Sequence, residues 1–245
     1  MRNLTERTFF VGDLHGKKDH LLMLIKEYNI RDSNIIILGD CGVGFCNYPV
    51  RKDYAFLNKH LELRNNKLYY IRGNHDNPKY WYDEEFRNEI EKTYSNIIHL
   101  LDGEIIEIFS KKYLIIGGGI SIDRFMRKEG ISYWEEEYIR YPQINEIENL
   151  EGILSHVGPI PVSSHKNNLF YWYNHDAELP EDINEERTLI DKIARNFHPR
   201  EWYFGHFHLN ENFDYIPENS EYTIRCHCLN ELSFSEVPQT LSEEK

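Results

Sequence analysis

Three nearly continuous apolar runs constrain the fold of this chain most: Thr8-Phe9-Phe10-Val11, Asn34-Ile35-Ile36-Ile37-Leu38 and Leu68-Tyr69-Tyr70-Ile71. A strand with one wet face alternates polar and apolar residues. An uninterrupted run is instead covered on both faces, as in a parallel sheet. Between the runs the period changes. Leu21, Leu22, Leu24, Ile25 and Tyr28 share one side of a helix predicted over 17–29, and Phe56, Leu57, His60 and Leu61 do so over 53–63. The order β-α-β-α-β implies parallel strands with right-handed crossovers, and so an α/β fold.

Beyond the third run the pattern predicts a polar, aromatic helix over 78–93. Short strands follow at 96–101, 104–109 and 113–116, with Asp102-Gly103 as a hairpin turn between the first two. Another strand at 152–155 precedes a long loop over 159–185. That loop holds three prolines, Ser163-Ser164, Asn167-Asn168 and the cluster Phe170-Tyr171-Trp172-Tyr173. Loops of this length in compact domains are more often functional than idle. A helix over 184–196, a strand at 201–204 and an antiparallel pair at 213–216 and 222–229 complete the chain. With no internal repeat and no linker, the expectation is one domain over 1–234, with 159–185 as an active-site loop and 235–245 as a polar tail.

Five apolar runs stop at a short polar knot beside glycine: Gly12-Asp13-Leu14-His15-Gly16, Gly39-Asp40-Cys41-Gly42, Gly73-Asn74-His75-Asp76, Ser155-His156-Val157-Gly158 and Gly205-His206-Phe207-His208. Ligand sites in α/β folds gather outside the carboxyl ends of the strands. Asp13, His15, Asp40, Asn74, His156, His206 and His208 offer carboxylate, amide and imidazole donors. That mixture suits Mn²⁺, Fe²⁺ or Zn²⁺. Seven donors are too many for one tetrahedral ion and about right for two ions sharing a carboxylate.

The ordered set Asp-x-His, Gly-Asp, Gly-Asn-His-Asp, His, Gly-His-x-His, running from Gly12 to His208, resembles the calcineurin-like metallophosphoesterase superfamily. The resemblance implies a four-layer αββα sandwich of two mixed β-sheets flanked by helices. It implies two divalent metal ions (Mn, Fe or Zn), one held by Asp13, His15 and His208 and the other by Asn74, His156 and His206, with Asp40 bridging them. It implies hydrolysis of a phosphate ester by a hydroxide bridging the two metals, with His75 as the general acid. Histidine is the side chain suited to that proton transfer near neutral pH. Two divalent ions would outweigh the charges of Asp13 and Asp40 and attract an anionic phosphate.

The chain departs from the Ser/Thr protein phosphatases of that superfamily. They carry Gly-Asp-x-Val-Asp-Arg-Gly where this chain has Gly39-Asp40-Cys41-Gly42-Val43-Gly44, and Glu where it has Asp76. The expectation is a phosphoesterase outside that branch and outside the similar diadenosine-tetraphosphate hydrolases. Asp123, Arg124 and Arg127, after Gly117-Gly118-Gly119, are the candidates for replacement phosphate contacts, since a guanidinium matches phosphate oxygens. Two other readings stay open. One is a phosphodiesterase or nuclease acting on a cyclic nucleotide or a nucleic-acid end; the other is a non-catalytic, metal-dependent interaction scaffold.

The formal charge of −13 argues against a long duplex nucleic acid, which needs many Lys or Arg contacts, but is compatible with a nucleotide. No apolar run approaches the ~18–20 residues of a membrane span. The N-terminus lacks the apolar core of a signal peptide. Four cysteines in a chain this long do not make a disulfide scaffold, so a cytoplasmic location is expected. Cys226-His227-Cys228 alternates like a strand and reads as packing. Glu135-Glu136-Glu137 reads as a solvated face with Trp134 tucked inward. Cys41 fits either the site or ordinary packing, and Phe170–Tyr173 with His175 and Asp176 fits either a stacking lid or a core patch.

Overall fold

The computed structural model describes residues 1–144, 147–166 and 169–239. The first half holds β1 (Arg2–Leu4), β2 (Arg7–Val11), α1 (Lys18–Glu27), β3 (Ser33–Ile37), α2 (Val50–Glu62), β4 (Lys67–Tyr70), α3 (Lys79–Tyr82), α4 (Glu84–Thr93) and β5 (Ile97–His99). The second holds β6 (Ile105–Ile108), β7 (Lys111–Ile116), β8 (Leu150–Ser155), α5 (Phe170–His175), α6 (Leu179–Phe197), β9 (Glu201–Phe204), β10 (Glu211–Tyr215), β11 (Ile224–Cys228) and β12 (Phe234–Glu236). The strands form two mixed sheets, ordered β12-β2-β3-β4-β5 and β1-β6-β7-β8-β9-β11-β10.

Side-chain alternation along the apolar runs builds the layers. Phe9, Val11, Ile35, Ile37, Leu68 and Tyr70 point to one core with Leu21, Ile25, Leu57 and Leu61 of the helices. Their neighbours Phe10, Ile36, Leu38, Tyr69 and Ile71 point the other way and meet Ile106, Tyr113, Ile115, Leu154 and Tyr203 of the second sheet. The far face of that sheet packs Leu114, Ile153, Trp202 and Phe204 against Ile190, Ile193 and Phe197 of α6. The result is the expected α/β arrangement of two mixed sheets with helices outside. Each fully buried Leu, Ile or Phe contributes about 1.5–3 kcal/mol.

Four details differ from the sequence expectation. Asp102-Gly103 does not close a hairpin, because β5 and β6 lie in different sheets and the chain crosses between layers there. The two-residue hairpin joins β6 to β7 through Phe109-Ser110, both at positive φ (50° and 64°), the backbone of a type I′ turn. On α2 the buried residues are Val50, Tyr54, Leu57 and Leu61, and Phe56 is exposed. Within 159–185 the chain forms a short helical turn at Val162–Lys166, then α5 and the start of α6. Asn167 and Asn168 lie outside the described residues. Order also continues past 234. β12 pairs antiparallel with β2, Phe234 packs edge-on against Phe9, and Arg7 grips Glu236 at 2.6 and 2.9 Å. Residues 240–245 of the expected tail lie outside the described residues.

Where the chain crosses between sheets, Arg72 is fully buried. Its guanidinium donates to Asp102 Oδ2 (3.0 Å) and to the carbonyls of Glu136 (3.1 Å), Glu137 (2.9 Å), Gly117 (3.3 Å) and Tyr138 (3.2 Å). Breaking a buried charge pair by removing one partner leaves an uncompensated group and is strongly destabilising. Arg72→Met is therefore expected to lower unfolding free energy by about 3–5 kcal/mol, read from the midpoint of urea denaturation. A loss below about 1 kcal/mol, the worth of an exposed pair, would show that Arg72 does not hold this junction.

Candidate metal centre

The polar knots meet at one edge of the two sheets. Asp13, Asp40 and Asn74 follow β2, β3 and β4; His156 follows β8; His206 and His208 follow β9. The backbone there is unusual. His15 (φ 45°), Asp40 (47°), His206 (63°) and His208 (52°) all sit in the left-handed region, which costs about 1–3 kcal/mol each in a non-glycine residue and clusters at functional sites. Close approach explains two of the glycines. A Cβ on Gly205 would stand 2.0 Å from Asp13 Oδ1, and one on Gly73 would stand 2.1 Å from the Asp40 amide nitrogen.

Two groups of donors result. In the first, His208 Nε2 lies 3.0 Å from Asp13 Oδ2, His15 Nε2 lies 3.6 Å from it, and the two ring nitrogens are 3.0 Å apart. Asp13 Oδ2 is buried and lacks an aligned hydrogen bond despite these neighbours. In the second, His156 Nε2 lies 2.9 Å from Asn74 Oδ1 and 3.2 Å from Asp40 Oδ1, and His206 Nδ1 lies 3.1 Å from Asn74 Oδ1. Asp40 Oδ2 turns back toward His15 Nε2, at 3.6 Å. One carboxylate thus faces both groups.

The orienting contacts aim acceptors inward. The Leu38 carbonyl accepts from His156 Nδ1–H at 2.9 Å, which leaves the Nε2 lone pair facing the group. The backbone N–H of His206 donates to Asp13 Oδ1 (2.9 Å) and that of His75 to Asp40 Oδ1 (2.7 Å). Asn74 Nδ2 donates to Ser121 Oγ (3.1 Å), which turns Oδ1 toward the histidines. Burial and the neighbouring His156 push His206 down to about 3, so its ring is neutral, as a ligand must be. Burial opposes ionisation of Asp13, yet contacts from His15 and His208 hold it below the usual carboxylate range. Carboxylate oxygens, an amide oxygen and imidazole nitrogens converging in this way fit a divalent cation.

The remaining residues of these blocks do other work. Asp76 is buried and accepts from the amides of Cys41 (3.0 Å), Val43 (2.8 Å) and Gly73 (2.8 Å), pinning the second knot to the third. Burial, with Asp40 adding to it, pushes Asp76 up to about 7. His75 stacks on Phe45 at 4.7 Å between ring centres and faces Arg127, whose Nη2 lies 2.7 Å from Nε2. Burial, opposed by Asp40 and aided by Arg127, pushes His75 down to about 4. Arg127 also pairs with Asp123 at 2.7 Å. Arg124 does not reach this centre; it pairs with Asp176 and Asp182 and lines a separate depression with Tyr133 and Tyr138.

A cavity of about 510 Å³ opens on the centre. Asp40, Asn74, His75, Asp123, Arg127, His206 and His208 form its polar end. Ile120, Ile122, Val157, Ile160, Leu169, Trp172, Ile183 and Ile190 line the rest, with Glu186 and Arg187.

Several neighbours of the centre carry no sequence signal. Ser121 is isolated beyond the glycine triplet. Glu137, expected on a solvated face, is fully buried, and its Oε1 accepts from the Ser121 amide at 2.9 Å. Glu135 and Glu136 are exposed as expected, and Trp134 is buried. Glu231 approaches His208 Nδ1 at 3.7 Å and His15 Nε2 at 3.9 Å. Cys41 packs into the helix-side core, and Cys226 and Cys228 pack beneath the second sheet. His227 stacks on Tyr203 at 4.3 Å on the opposite face.

A family model described as calcineurin-like phosphoesterase matches residues 6–210. Among solved structures, one described as a protein serine/threonine phosphatase from Saccharomyces cerevisiae with similarity to human phosphatase PP5 is 15% identical, covering 94% of this chain and 70% of that one with a TM-score of 0.36. No curated protein matches. Among the described residues no helix is long and apolar enough to cross a membrane.

Proposed function

This chain belongs to the calcineurin-like phosphoesterase family, and on that premise we propose that it is a metal-dependent hydrolase of phosphoesters outside the Ser/Thr protein phosphatase branch. The carrying observation is the convergence of seven donors from five blocks into two groups with Asp40 facing both. In this reading Asp13, His15 and His208 hold one divalent ion, Asn74, His156 and His206 hold a second, and Asp40 is shared. Bound there, the ions would polarise the phosphoryl oxygens and make a water nucleophilic.

The chain's own residues do the rest. Arg127, anchored by Asp123, binds a phosphoryl oxygen, taking the part for which the second block lacks an arginine. His75, held flat against Phe45, gives a proton to the departing oxygen. Its ring is neutral while it accepts from Arg127; a phosphoryl group between the two adds negative charge, which favours the protonated imidazole. The same centre serves monoesters and diesters with different outer contacts. Turnover of p-nitrophenyl phosphate and bis(p-nitrophenyl) phosphate in Mn²⁺, abolished by a chelator, tests the reading and separates the two classes. No turnover of either with metal bound would favour a non-catalytic scaffold.

The Asn74–Ser121–Glu137 chain supports a second expectation. Partners that orient a ligand typically contribute 10- to 100-fold in metal affinity. Ser121→Ala is expected to weaken Mn²⁺ binding by about that factor in a calorimetric titration, and unchanged affinity would assign Ser121 to packing alone.

A further inference from the structure

The cavity is far larger and far less polar than a phosphoryl group requires. Sites that enclose a drug-sized organic molecule span roughly 300–1,000 Å³ and combine apolar walls with few polar groups. At about 510 Å³ this cavity lies in that range, and it is continuous with the candidate metal centre. Its wall is the open side of a core cluster. Ile120, Leu179 and Ile183 are buried, while Ile122 and Trp172 pack against them and stay partly accessible.

One wall group stands out chemically. Glu186 lines the cavity, and its Oε1 is buried without a hydrogen-bond partner among the described residues. Burial, opposed by the Ile120 backbone and by neighbouring Arg187 and aided by nearby Glu137, pushes it up to about 8. Arg127 marks the junction with the metal-binding end.

We propose that the organic group of the substrate is a flat, largely apolar ring system, seated against Ile122, Ile160 and Trp172, with Glu186 and Arg187 as the polar groups of that wall. This rests on the phosphoester hydrolase reading and narrows its substrate class. A small polar alcohol gains little from the apolar part of this wall. A ring system removes apolar surface from water and can stack on the indole.

The test compares 2-(2-naphthyl)ethyl phosphate with ethyl phosphate, each as the monoester and as its methyl diester, using the full chain in Mn²⁺. Both leaving groups are primary alcohols, so the comparison reads the organic group. The naphthyl ester is expected to be favoured in kcat/KM by about tenfold or more. Trp172→Ala is expected to erase most of that preference through KM while changing ethyl phosphate kinetics less than about twofold; should that variant not fold, Ile160→Asn carries the same test. Equal turnover of the two esters, or variants that lower both alike, would overturn the ring site and leave the hydrolase reading standing. Failure to cleave any of the esters with metal bound would remove the hydrolase reading, and this inference with it.

Discussion

Asp40→Asn is expected to empty both metal positions and to lower kcat/KM on the order of 10³-fold or more, since bound divalent ions contribute several kcal/mol of charge stabilisation at phosphorus. The reasoning is geometric. Asp40 Oδ1 lies 3.2 Å from His156 Nε2 and Oδ2 lies 3.6 Å from His15 Nε2, so one carboxylate serves both donor groups. An amide keeps the shape but offers one oxygen and no charge. Metal content after dialysis, measured by mass spectrometry, checks the shared role. Loss of a single equivalent would reassign Asp40 to one ion, and full retention would end the bridging assignment. Because the His75 amide also donates to Asp40 Oδ1 at 2.7 Å, a urea titration should accompany the metal measurement.

His75→Ala is expected to leave metal content unchanged and to lower kcat by about 10²–10⁴-fold on alkyl phosphoesters, the usual worth of a positioned general acid. The loss should shrink with p-nitrophenyl esters, because a good leaving group departs without a proton. That dependence on the leaving group separates acid catalysis from binding: a residue that only binds the phosphoryl group would cost both ester types equally.

Much of this architecture could be read from local sequence, for identifiable reasons. The parallel core was legible because residues 8–11, 34–38 and 68–71 are apolar at both parities, which only two covered faces satisfy. The convergence of the polar blocks was legible because each combines a strand end, a glycine and a donor side chain. Failures arose where the deciding partner is distant in sequence. Asp102-Gly103 looks like a turn, but strand pairing is decided by which sheet each arm joins. Phe109-Ser110, the true hairpin, lacks the residues that favour positive φ. Glu137 looks solvated among three glutamates, and its burial depends on Ser121 and Arg72. The prolines and asparagines of 159–185 suggest a loop, yet Pro180 falls in the first turn of α6, where a missing N–H costs nothing. Arg124 and Arg127 cannot be told apart by spacing; opposite partners, Asp176 for one and His75 for the other, separate them.

The donors are divided between layers: four, Asp13, His15, Asp40 and Asn74, come from loops after β2, β3 and β4 of one sheet, and His156, His206 and His208 from loops after β8 and β9 of the other. An ion held between Asp13 and His208 would therefore act as a cross-link between residues far apart in the chain, joining two sheets whose shared core is largely apolar. Such a ligand binds only when both sheets are docked. At a hundredfold excess over its dissociation constant it adds about 2.7 kcal/mol to global stability. Metal availability would then govern lifetime as well as rate: in a metal-poor cell the chain would open more often along the seam between its sheets and meet proteases sooner.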